Sequence, residues 1–241
     1  MLEDGNPLYR QPEFVSRFKG GITVERSPLF SGIPPEDYTR IAAAARVKEF
    51  SRGQMLYSEG EPVRQVILLT SGFAKLSQIA QSGTEVILRI GVPGDVFGAM
   101  GLFSNGMQCT TAQTIRVCRA LVWEASAFKA LVERFPVLHL NMVRVFGGYL
   151  LELEERFREI ATERVGPRVA RQLVRLLEHM GQPVDGAVDI GLSREELGQM
   201  TGTTLFTVSR LLSAWEARGI VRPRREGVTV YDVPSLRAIS E

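Results

Sequence analysis

The chain has 241 residues, 44% apolar and 23% charged, which allows one large domain or two small ones with real cores. Its 29 Lys and Arg against 27 Asp and Glu leave +2, which excludes a polybasic tail or an acidic solvating segment; DNA binding depends on where charge sits, not on its sum. Two cysteines, Cys109 and Cys118, cannot build a disulfide scaffold or a four-thiolate site, and two distant histidines, His139 and His179, supply no local metal cluster.

The N-terminus carries Glu3 and Asp4 and no apolar run, so no signal peptide is expected. Residues 1–28 form a mildly basic extension with Arg10, Arg17, Lys19 and Arg26. From Gly32 to about Arg119, short apolar runs such as residues 65–69, 74–78 and 85–90 alternate with glycine turns at 53, 60, 72, 83, 91 and 94. This punctuation predicts an antiparallel barrel, roll or sandwich, with Ser82-Gly83 as a hairpin turn. The longest uncharged stretch, residues 96–115, contains Ser104, Asn105, Gln108 and several glycines, so no membrane span is expected and a cytoplasmic protein is.

Beyond about Ser126 the period becomes helical. Val143, Phe146, Leu150, Leu153, Phe157 and Ile160 are spaced as an a/d seam, either a single amphipathic helix on the roll or a dimer interface. Glu152, Glu154, Glu155, Arg156, Arg158 and Glu159 make the other face polar and solvated. Gly147-Gly148 implies close approach to a partner or a kink. Gly166-Pro167 marks a joint, residues 165–180 resume as a helix, and residues 181–191 read as a polar connection.

The most informative stretch starts at Leu192. Ser193 and Glu196 form a capping-box signature opening a short helix, and Thr201-Gly202-Thr203 breaks it. A second helix runs from Thr204 to about Arg218 with Val208, Leu211, Leu212 and Trp215 as its buried face. Two short helices joined by a glycine turn are a helix-turn-helix. Residues 219–231 follow as a β-hairpin wing with a basic tip at Arg222, Arg224 and Arg225. The second helix exposes Thr203, Thr204, Thr207, Ser209 and Arg210; Arg210 suits a bidentate pair with guanine, and hydroxyls suit phosphates.

With these motifs in this order, the chain resembles the catabolite-activator/fumarate-nitrate-regulator (Crp/Fnr) family of transcription regulators from about Leu29 to Asp232. Glu59-Gly60-Glu61, Ser71-Gly72, residues 94–98 and Gly101-Leu102-Phe103 resemble its β-roll glycines and phosphate cassette. The resemblance implies an α+β chain: an extension at 1–28, a jelly-roll-like antiparallel β-roll sensor at 29–132, a dimerisation helix at 133–163, and a winged helix-turn-helix at 164–241. It implies a non-enzymatic homodimer that binds a palindromic operator in double-stranded DNA and works with RNA polymerase, its domains hinging near residues 162–167.

The departures from the family pattern set further expectations. Where its cyclic-nucleotide cassette presents a ribose-binding glutamate and a phosphate-pairing arginine, this chain has Gly98-Ala99-Met100 and Cys109-Thr110; where cAMP-responsive members present Thr-Ser, it has Leu153-Glu154. Losing a charge-assisted phosphate contact is severe, so cAMP is not expected as effector. The four cysteines of iron–sulfur members are missing, so no such cluster is expected. A redox or haem sensor would use Cys109 or His139, although both residue types more often serve as plain packing. An effector-independent regulator is a further reading, and a cupin-type metalloenzyme a remote one. Leu205-Phe206 replace the family's Arg-Glu before Thr207-Val208-Ser209-Arg210, so a TGTGA or TTGAT half-site is not expected; Phe206 either packs on a thymine methyl or is partly buried. With Arg194 on the first helix, residues 203–207, Ser209, Arg210, Arg224 and Arg225 complete the expected DNA contacts. From Arg164 onward there are 11 arginines against 9 acids and no lysine, so positive charge acts through placed arginines.

Overall fold

The computed structural model describes residues 27–241; the extension's Arg10, Arg17, Lys19 and Arg26 lie outside them. After a helical turn at Pro28–Phe30 come α1 (Pro35–Ala43), β1 (Arg46–Phe50), β2 (Met55–Tyr57), β3 (Gln65–Ser71), β4 (Ala74–Ile79), β5 (Glu85–Gly91) and β6 (Val96–Phe97). Then follow α2 (Ala99–Leu102), β7 (Thr111–Thr114), β8 (Cys118–Glu124), α3 (Ala125–Arg134) and α4 (Pro136–Thr162). The strands form two four-stranded sheets in the orders β1-β8-β3-β6 and β2-β7-β4-β5. The pairs β1–β8, β3–β8, β3–β6 and β2–β7 are antiparallel, as a β-roll requires.

Strand alternation divides the roll's interior into two apolar clusters. Ile67 and Leu69 of β3, with Phe50, Phe97 and Val122, fill one. Val66 and Leu68 face the opposite way and pack with Trp123, Phe128, Leu138 and Met142 beside α1, α3 and the start of α4. Burial on both faces explains why β3 is a continuous apolar run. The Trp123 indole donates to the Ile41 carbonyl at 2.9 Å, and Asn141 of α4 donates to the carbonyls of Leu29 and Ser31 at 2.9 and 2.8 Å. These bonds seat the first half of α4 on the roll.

The described residues divide into two compact units, residues 27–76 with 90–152 and residues 77–89 with 153–241. The second contains the tip of the β4–β5 hairpin, the end of α4, α5 (Val165–Met180), β9 (Gln182–Val184), β10 (Ala187–Ile190), α6 (Arg194–Thr201), α7 (Leu205–Glu216), β11 (Val221–Arg224), β12 (Gly227–Val230) and α8 (Val233–Ser240). Its sheet has the order β11-β12-β10-β9. Residues 181–191 are therefore a hairpin rather than a polar connection. Asp185 and Gly186, with φ of 44° and 78°, supply two consecutive positive-φ residues for its turn, and β10 pairs antiparallel with the wing.

α4 runs through Gly147-Gly148 as one helix. Two other readings of α4 need correction. Its charged face is not wholly solvated: Arg156 is 7% and Glu159 2% exposed. Phe146 leaves the outward seam, being partly buried against the roll core.

Candidate nucleic-acid interface

The helix-turn-helix is set by its caps. The Ser193 hydroxyl accepts from the Glu196 amide at 3.2 Å, and the Glu196 carboxylate accepts from the Ser193 amide at 2.8 Å, so the capping box is complete. Gly202 ends α6 with φ 59°. At Gly198 a Cβ would stand 2.8 Å from the Thr203 carbonyl, so glycine lets the turn close onto α6. The Thr204 hydroxyl then caps α7, accepting from the Thr207 amide at 3.2 Å.

Val208, Leu212 and Trp215 bury the inner face of α7, while Leu211 is half-buried. Thr204, Leu205, Phe206 and Arg210 are exposed; Thr203, Thr207 and Ser209 are half-buried. One side of the first two turns of α7 thus presents hydroxyls, two apolar side chains and a guanidinium. The wing is tighter than the sequence reading, since β11 extends through Arg224 and leaves Arg225-Glu226 as the tip. Arg224 pairs with Asp189 of β10, and the Arg222 guanidinium lies 5.4 Å from the Tyr231 ring centre. Arg194 is half-buried, with its Nε enclosed.

A buried polar joint anchors this motif to α4. Arg168 of α5 donates to the carbonyls of Thr201 at 2.8 Å and Glu163 at 3.1 Å. The Glu159 carboxylate takes both Arg175 nitrogens, and Arg171 bonds Glu163. That bond, chiefly, holds the Arg171 guanidinium above its ordinary pKa. Arg156 donates to the Met200 carbonyl on α6 at 2.7 Å and to the Ile87 carbonyl on β5 at 3.3 Å. The α4–α5 break falls at Glu163-Arg164, and Gly166-Pro167 occupies the first turn of α5, where proline is tolerated. Sequence spacing placed a joint here but not its buried charges, because exposed and buried arginines look alike in one dimension.

The effector-pocket candidates fall in both units. Gly98 caps α2 with φ 80°, and a Cβ there would stand 2.6 Å from the Gln65 carbonyl. Ala99 is buried, Met100 exposed, Cys109 and Thr110 half-buried; Leu153 and Glu154 are exposed on α4. Gln108, which sequence spacing does not mark as a pocket residue, is buried beside Gly98. His139 is exposed and stacks on Phe103 with ring centres 6.4 Å apart. Burial pushes the Cys118 thiol up to about 11. Among the described residues no three His, Cys, Asp or Glu are grouped to hold a metal ion, and no helix is long and apolar enough to cross a membrane.

A cyclic nucleotide-binding domain family matches residues 47–135, and a Crp-like helix-turn-helix domain family matches residues 167–239. The chain belongs to the Crp/Fnr family. It is thus a DNA-binding transcription regulator of the Crp/Fnr type. It is 28% identical over 213 residues to the CRP-like cAMP-activated global transcriptional regulator of Mycobacterium tuberculosis, covering 88% of this chain and 95% of that protein. It is 27% identical over 214 residues to the cyclic AMP receptor protein of Thermus thermophilus, covering 89% and 97%. The c-di-GMP responsive global regulator CLP of Xanthomonas campestris shares the Crp/Fnr fold at a TM-score of 0.73 and 18% identity, over 82% of this chain and 99% of that one.

Proposed function

We propose that the chain acts in the cytoplasm as a homodimer that reads a palindromic operator and recruits or contacts RNA polymerase, under an effector other than cAMP or under none. The observation that carries the dimer is the outer stripe of α4. Val143, Leu150, Leu153, Phe157 and Ile160 are between 46% and 73% exposed, in a continuous row. Rows of this spacing bury themselves against a copy of the same helix. Two-fold symmetry then makes the operator a palindrome, with half-sites about 34–36 Å apart. In this reading residues 29–132 sense, 133–163 dimerise and 164–241 bind DNA.

Within each half-site Arg210 reads guanine through O6 and N7. Thr203, Thr204, Thr207, Ser209, Arg194 and Arg225 face the phosphates, which position the helix without specifying sequence. Arg224 joins them only when its pair with Asp189 opens. On the sensing side, Ala99 and Cys109 stand where the family's cAMP contacts would need a carboxylate and a guanidinium. An effector that acts here must bind one arrangement of the two units better than another. Titration calorimetry tests this: no cAMP binding in the micromolar range is expected, and micromolar binding would refute it. Sedimentation equilibrium showing a monomer at micromolar concentration would refute the dimer.

A further inference from the structure

We infer that Phe206 reads the C5 methyl group of a thymine in each half-site, so that part of the operator's specificity is apolar. This rests on the DNA-reading role proposed for α7. Phe206 is 81% exposed, and among the described residues no large apolar side chain is more so. The fold therefore does not use it for packing, which leaves its ring available to a partner. Its position says which partner. Phe206 and Arg210 are four residues apart, hence neighbours on one helix face, opposite the buried Val208, Leu212 and Trp215. The cap at Thr204 fixes this first turn, so the ring is presented from ordered backbone. Leu205, 41% exposed, widens the apolar surface beside it.

The occupant follows from groove chemistry. A phenyl ring has no hydrogen-bonding group, and among the four bases in the major groove thymine alone offers a methyl group. Four residues of helix advance about 6 Å. Base pairs repeat every 3.4 Å or so. The thymine is accordingly expected one or two base pairs from the guanine that Arg210 reads. The charged surroundings, Arg210 on the same face and Arg225 at the wing tip, suit a polyanion rather than an apolar protein groove.

The test uses the full-length protein and a palindrome selected from random duplex DNA. Replacing that thymine by deoxyuridine in both half-sites removes only the methyl group. The expected loss is roughly fourfold per half-site, the worth of one buried methyl-sized group. Phe206→Ala is expected to bind more weakly, to melt at the same temperature, and to ignore the replacement; Arg210→Ala is expected to bind weakly and to keep its sensitivity. The inference is overturned if no thymine is selected near the guanine, if the unaltered protein ignores deoxyuridine, or if Phe206→Ala remains equally sensitive. Failure to bind any duplex would instead overturn the DNA-reading role itself, and a Phe206→Ala effect confined to self-association would assign the ring to a protein partner.

Discussion

The two halves of α4 bury opposite chemistries. The first half turns Leu138 and Met142 into the roll core and adds Phe146 to its edge. The second half buries Arg156 and Glu159 and turns Leu153, Phe157 and Ile160 outward. An apolar interior needs only filling, whereas a charged one must satisfy each donor and acceptor. The carbonyls of Met200 and Ile87 and the Arg175 guanidinium do that here. The inversion teaches that the outward stripe is not surplus hydrophobicity. A helix that could have buried Phe157 instead buries a carboxylate and keeps the ring for another surface.

The largest expected effect comes from breaking the charged interior. Glu159→Ala takes from Arg175 the carboxylate that binds both its nitrogens, and from Arg171 a second partner at 3.5 Å, and urea denaturation is expected to show a loss of about 3–5 kcal/mol. A loss under 1 kcal/mol would mean that water rescues the site. Next come paired leucines on the same helix. Leu138→Ala, in the core, is expected to cost about 2–5 kcal/mol of folding stability. Leu150→Ala, in the stripe, is expected to change subunit folding by about 0.5 kcal/mol or less. It is expected to weaken dimerisation measurably by sedimentation; equal folding costs for the two leucines would erase the contrast.

Smaller effects follow at the wing and in the roll. Arg225→Ala is expected to reduce the slope of log affinity against log salt by roughly one per half-site, with base preference unchanged. The cysteines should separate chemically: iodoacetamide at pH 8 labels half-buried Cys109 and spares Cys118. The unfolded Cys118 thiol ionises near 9.0, while the folded one holds its proton to about 11. The unfolded state therefore loses its proton first, and stability is present below pH 9 and falls as pH rises toward 11. Labelling of Cys118 in the native protein would show that the roll opens locally.

What the sequence made legible was local. The Ser193 box, the Gly202 turn and the a/d spacing each lie within a few neighbouring residues or one helix face. The β9–β10 hairpin was equally local, with Asp185-Gly186 as its turn, but strands of three and four residues, the first centred on Pro183, look like loop. The wing's basic tip, read over residues 222–225, narrows to Arg225-Glu226 because β11 continues through Pro223 as an edge strand, where proline is accepted. Long-range pairing was not legible. Arg224 meets Asp189 and Arg156 meets Ile87 across 35 and 69 residues, so neither partner could be read from spacing.

The proposed symmetric dimer reads DNA through Arg210 of α7. Selection of bound sequences from a random duplex pool, run in parallel with the unaltered protein and Arg210→Ala, tests this most directly. The expected result is a palindrome with one guanine per half-site, whose preference over other bases is worth about 1–3 kcal/mol and disappears in Arg210→Ala while the remaining positions persist. An enriched site without two-fold symmetry, or one whose guanine preference survives the substitution, would contradict it.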